Sequence, residues 1–236
     1  MWFNASFHRL LAGFQSAVET IGNLKSVKIM SQIAIVEYGV GNIQSVANAF
    51  HRLGMKPTIV SDGVHLLSLS PDYIVLPGVG AMGYALAMLR SRGLEEALTR
   101  LVQEEKTPFL GICVGMQIMA SQCHEFGSHQ GLGWIPGEVS HLSRAGVSLC
   151  LPHTGWNTIR ATSNHPMAQR VEGKDAYFLH SGAYQGQQEF ILATAMYGVD
   201  FPCIIGKGHI VGVQFHPEKS GQAGEEFFSA FVGGQL

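Results

Sequence analysis

The chain has 236 residues, 46 % of them hydrophobic and only 14 % charged, with a formal net charge of −2. That length suits one sizeable α/β domain, while the charge balance excludes the basic field that nucleic-acid binding needs and any polybasic cluster for a membrane surface. No apolar run approaches the ~18 residues of a membrane span, and so sparsely charged a surface favours a permanent partner over a lone monomer.

Residues 1–30 lack the basic start and unbroken apolar stretch of a signal peptide. Their apolar positions recur at helical spacing, which allows a short amphipathic helix. The preferred reading is an upstream extension, helical or disordered, ahead of a domain spanning residues 31–236. From residue 32 strands and helices alternate. "IAIVEY" reads as a buried strand and "NIQSVANAFHRLG" as a helix closed by Gly54. "TIV" and "DYIVLPG" are short strands, "YALAMLRSRG" and "LEEALTRLVQEE" helices, and "PFLGI" the strand ahead of Cys113. This rhythm predicts a mostly parallel sheet flanked by helices. Beyond residue 127, Gly-rich turns separate "AYFLH", "FILATAMY", "FPCIIG" and "HIVGVQF". The last two form an antiparallel hairpin through Gly206, Lys207 and Gly208, and a helix near "AGEEFFSAFV" closes the chain. The expected fold is α/β with an antiparallel C-terminal addition.

The four cysteines, Cys113, Cys123, Cys150 and Cys203, make neither a C-x-x-C pair nor a small disulfide framework. That suits a reducing compartment, and a cytoplasmic location is expected. Gly111-Ile112-Cys113-Val114-Gly115 has the G-x-nucleophile-x-G form of a sharp strand-to-helix elbow. The helix expected at "GMQIMA" would turn its N-terminus toward the sulfur and favour a thiolate. A buried structural cysteine is the competing reading. A thiolate needs a base, and "VGVQFHPEKS" supplies His216 and Glu218 around Pro217. Proline biases the residue before it toward extended chain, where side chains two apart share one side. Glu218 is thereby placed to orient the His216 ring, as the third member of a triad does.

Gly78, Gly80 and Gly83 in "LPGVGAMG" also spell the dinucleotide fingerprint, so a nicotinamide-dependent oxidoreductase is a rival. Against it, the motif does not lie on the first strand of the domain, and the acids at 95 and 96 fall within a helix rather than at a strand end. The alternative use is a loop whose N–H groups, with that of Val114, stabilise an oxyanion. A metal site is rejected: His216-x-Glu218 is half of a zinc-deaminase signature, and the required P-C-x-x-C is missing. No cofactor is expected.

G-x-C-x-G with H-P-E resembles the class I, triad-type glutamine amidotransferases. "VEYGVGNIQSV", "LPGVGAMG", "GICVGMQ" and "LPHTGWN" extend the likeness from about residue 32 to the end, toward glutaminase subunits of imidazole glycerol phosphate synthase. The resemblance implies Cys113 as nucleophile, His216 as base and then acid, and Glu218 as its orienting carboxylate. It implies oxyanion donors at Val79 and Val114, and contacts to L-glutamine from Gly80, Gln117, Glu125, Ser181 and Gly182. Asn42, His153, Trp156 and Asn157 would face a cyclase subunit in a heterodimer of the histidine pathway, and the isolated chain would show only weak glutaminase activity. Two departures stand out: Glu37 where the family usually has Asp, and "HSGAYQ" where it has a plain "HSY". The second leaves open which of residues 181–184 touches glutamine. It also keeps open a non-catalytic partner subunit, alongside a related glutaminase serving another acceptor such as a surface-sugar intermediate.

Overall fold

Short aliphatic runs buried on both faces build the central sheet, as a parallel arrangement requires. The computed structural model describes residues 31–236, so the expectations for residues 1–30 lie outside the described residues. In chain order the strands are β1 (Ile33–Val36), β2 (Thr58–Val60), β3 (Tyr73–Gly78), β4 (Phe109–Cys113), β5 (Ala120–His124), β6 (Ser128–Gln130) and β7 (Ile135–His141). They continue as β8 (His153–Thr158), β9 (Arg160–Ala161), β10 (Asp175–His180), β11 (Gly182–Gly186), β12 (Ile191–Tyr197), β13 (Val199–Lys207) and β14 (Ile210–Val213). The α-helices are α1 (Ile43–Arg52), α2 (Gly63–Leu69), α3 (Met82–Ser91), α4 (Leu94–Thr99), α5 (Val114–Gln117), α6 (Pro166–Arg170) and α7 (Gly221–Val232).

Eight strands form the main sheet in the order β2-β1-β3-β4-β14-β13-β12-β9. It is parallel from β2 to β14 and antiparallel beyond. The expected hairpin is β13–β14, and it extends the main sheet directly because β14 also pairs in parallel with β4. A four-stranded sheet, β11-β7-β5-β6, and the two-stranded β10–β8 pair make up the rest. Helices α1 and α7 pack together through Phe50 and Phe228, whose ring centres are 4.7 Å apart. Phe231 of α7 meets Tyr73 edge-on at 5.3 Å.

Three local differences from expectation have physical causes. Helix α2 has no apolar periodicity to reveal it, since it buries only Gly63 and Leu66; its one signal is the Asp62 carboxylate, which accepts from His65 N–H at 2.8 Å as an N-cap. The segment "LEEALTRLVQEE" widens at Arg100–Glu104 into a π-turn. The helix expected over "GMQIMA" is a single turn, Val114–Gln117, after which the chain enters β5. Its run of buried Ile118, Met119 and Ala120 fits helix or strand equally well, which periodicity alone does not separate.

Candidate active site

Parallel strands end at a common edge, and there the sheet gathers its functional loops. On β4, Ile112 sits across from Val213 of β14 on one side and Pro77 of β3 on the other, with Cys113 opposite Gly78. Residues just past the end of β14 therefore arrive beside Cys113 even though a hundred positions separate them in the chain. Cys113 has φ 55° and ψ −108°, a strained geometry for a residue with a side chain. The flanking glycines permit it. A Cβ at Gly115 would run into the carbonyl oxygen of Leu76, and one at Gly111 into the backbone of Gly115 and Met116. The sulfur lies 3.7 Å from the Leu179 carbonyl and receives the Gln214 side-chain amide at 3.7 Å.

His216 is held by its own N–H, which donates to the Tyr177 carbonyl at 2.9 Å. Its Nδ1 and Glu218 Oε1 are 2.8 Å apart, with both side chains almost wholly buried. The reach has a different origin from the one expected. His216 is extended, as expected ahead of a proline, but Pro217–Lys219 is a 3-10 turn, closed by Lys219 N–H donating to the His216 carbonyl at 3.0 Å. Nε2 stops short of a formed hydrogen bond, as catalytic pairs often do before substrate tightens them. Burial alone would lower the pKa of this ring. Cys113 and the Glu218 carboxylate outweigh that burial and raise it to about 10. The arrangement thus favours an imidazolium beside the sulfur of Cys113, placed to serve a cysteine nucleophile. A one-turn α5 leaves the helix dipole little part in this.

A cavity of about 360 Å³ joins Cys113 and His216, within the range of small-molecule sites. Val79, Gly80, Val114, Gln117, Glu125, Ser181 and Gly182 line the same cavity. Gln117 is buried and donates through Nε2 to the Gly182 carbonyl at 3.1 Å and to Gln214 Oε1 at 3.0 Å. Glu125 already accepts from Met82 N–H at 2.7 Å, so one carboxylate oxygen caps α3. Two glycines of the dinucleotide-like motif are used for packing. A Cβ at Gly78 would strike the Tyr38 hydroxyl and Val114, and one at Gly83 the His129 ring, while Gly80, at φ +84°, has open space beside it. Glu95 and Glu96 lie in α4, as expected. Among the described residues no three His, Cys, Asp or Glu side chains are grouped to hold a metal.

The four residues expected to face a partner lie outside that lining. Asn42 is exposed ahead of α1, and Trp156 is 56 % exposed on β8. His153 departs from expectation: its side chain is buried, stacked on Tyr197 at 4.1 Å between ring centres, and turned away from any surface. Three further residues of the site escaped the sequence reading. Gln214, fully buried, shows in the sequence only as one polar residue in the apolar run "VGVQF". The Leu179 carbonyl and the exposed Phe126 at the cavity rim carry no sequence signal.

Comparison with known proteins gives concordant results. The family model described as glutamine amidotransferase class-I matches residues 34–232. The imidazole glycerol phosphate synthase subunit HisH of Zymomonas mobilis is 44 % identical, covering 86 % of this chain and 95 % of its own length. Its namesake from Dehalococcoides mccartyi is 42 % identical over 84 % and 95 %. A solved glutamine amidotransferase shares the fold at a TM-score of 0.67 with 18 % identity, over 85 % of this chain and 97 % of that one.

Proposed function

The chain belongs to the class I glutamine amidotransferases, and from that premise we propose that it is the glutaminase subunit of an imidazole glycerol phosphate synthase. The observation that carries the reading is the convergence of Cys113 and His216 on one cavity, with Glu218 on the far nitrogen of the ring. The subunit assignment draws on the names of relatives that match nearly end to end.

In this reading Cys113 sulfur attacks the carboxamide carbon of glutamine, and the carbonyl oxygen becomes an oxyanion met by the N–H groups of Val79 and Val114. His216 passes its proton to the amide nitrogen as the C–N bond breaks, releasing ammonia and leaving a glutamyl thioester. The now neutral ring takes a proton from water. The resulting hydroxide cleaves the thioester to glutamate, and the thiolate and imidazolium are restored. Glu218 keeps the proton on Nδ1 and steadies the ring's charge. Gly80, Gln117, Glu125, Ser181 and Gly182 hold the amino-acid end of the substrate. Ammonia passes to a cyclase subunit reached past the face that carries Asn42, Trp156 and Asn157.

The same reading takes residues 31–236 as the amidotransferase domain with 1–30 as an extension. It places the protein in the cytoplasm, in keeping with four unpaired cysteines; no helix among the described residues is long and apolar enough to cross a membrane. The test is glutamine-dependent imidazole glycerol phosphate synthesis by the chain reconstituted with a cyclase subunit of imidazole glycerol phosphate synthase from the same organism. Wild type should support it and Cys113→Ala should not, while added ammonium salts should sustain synthesis with either. Equal glutamine-dependent rates would refute the proposal.

A further inference from the structure

A line of buried and half-buried polar groups runs from β8 into the cavity wall. On the β8–β10 pair, His153 stands directly across from His180, and both side chains are buried. Asn157 Nδ2 is 2.9 Å from His153 Nε2, His153 Nδ1 is 3.0 Å from His180 Nε2, and His180 Nδ1 is 2.8 Å from the Gly182 carbonyl oxygen. That oxygen also accepts from Gln117 Nε2. Gln117 in turn donates to Gln214, whose amide reaches the sulfur of Cys113.

One group fixes the direction of every bond. A carbonyl oxygen only accepts, so His180 must carry its proton on Nδ1. Its Nε2 is then an acceptor, which requires the proton of His153 on Nδ1. His153 Nε2 accepts in its turn, so Asn157 must present its NH₂ group. Protonating either ring would set N–H against N–H unless Asn157 turned its amide over. Burial works against that, lowering His153 to about 4 and His180 to about 3. The neutral rings also keep a second positive charge away from His216.

We propose that His153 and His180 are positioning residues for the glutamine pocket, forming a neutral one-way hydrogen-bond relay that fixes the Gly182 peptide and, through Gln117 and Gln214, the surroundings of the Cys113 sulfur. Gly182 opens β11 opposite His141 of β7 and has no side chain to hold its peptide against the pocket. Two donors on its oxygen supply the restraint. The relay begins outside the cavity lining, at Asn157, and Gly155 between Asn157 and His153 adopts φ +141°, a conformation that favours glycine. His153 therefore acts at a distance, through His180.

The inference rests on the glutaminase reading, and its test separates the two. His153→Phe keeps the aromatic stacking on Tyr197 and Phe178 but removes the donor to His180. With the cyclase present, the variant should raise KM for glutamine about ten-fold, since a buried acceptor loses its donor, with a smaller change in kcat. A packing role would be preserved by phenylalanine, so an unchanged KM overturns the relay. An inactive wild type would count against the glutaminase reading instead. Imidazole ¹⁵N NMR of the wild-type chain at pH 7 tests the relay without any variant. Both rings should be neutral with the proton on Nδ1; a proton on Nε2 of either, or a charged ring, contradicts it.

Discussion

At the scale of single residues, the site depends on keeping one imidazole charged inside the protein. The folded state raises the pKa of His216 from its ordinary 6.5 to about 10, burial notwithstanding, because Cys113 and Glu218 lie against it. A raised histidine pKa adds stability that is complete below about 6.5 and disappears as pH climbs through about 10. The urea midpoint of wild type should therefore fall between pH 7 and 10. Cys113→Ala removes the leading favourable influence on the ring, so its midpoint should fall less over that interval, and parallel curves would show that the sulfur does not sustain the charge. Glu218→Gln keeps the shape but not the carboxylate. In the reconstituted enzyme it should lower kcat for glutamine by ~10²–10⁴, the usual weight of a positioned acid–base group, while changing KM much less.

At the scale of elements, the elbow at the end of β4 is a matter of space. A methyl at Gly115 meets the Leu76 carbonyl of the neighbouring strand, and main chain yields poorly. Overpacking typically costs ~1–3 kcal/mol, so thermal melting of Gly115→Ala should drop by roughly 2–4 °C per kcal/mol for a domain of this size. An undiminished melting temperature with full activity would mean that the elbow has room to spare. The elbow was legible because its constraint is local: glycines flank the nucleophile for a reason the sequence displays. So was the His216–Glu218 pair, though the turn that joins them was not, since Pro217 starts a 3-10 turn as readily as it continues a strand. The parallel order of β1, β3 and β4 followed from the alternation of apolar runs. What no local pattern carries is pairing across the sheet. The contact between His153 and His180 depends on the register of β8 against β10, and a loop histidine looks the same whether it faces solvent or the core. That is why His153 was expected at a surface and is found inside.

At the scale of the whole molecule, the fold places a cavity at the shared edge of its parallel strands and leaves Trp156 exposed on the β8–β10 pair. An exposed tryptophan is a common anchor of protein interfaces. Trp156→Ala should weaken binding of the cyclase subunit, read by titration calorimetry, without disturbing the cavity, which Trp156 does not line. Affinity equal to wild type would move the interface elsewhere. The fold is shared with a solved glutamine amidotransferase at only 18 % identity, so the sheet persists through wide change in sequence.

The most direct measurement is covalent. The chain, alone and with the proposed cyclase partner, is treated with a glutamine-like electrophile, and the modified peptide is identified by mass spectrometry in a Cys150→Ser background, since Cys150 is the exposed thiol. One adduct, on Cys113, protected by glutamine and abolished by His216→Ala, is the predicted result. Labelling spread over Cys123 or Cys203, or none at all with the partner bound, would contradict the account.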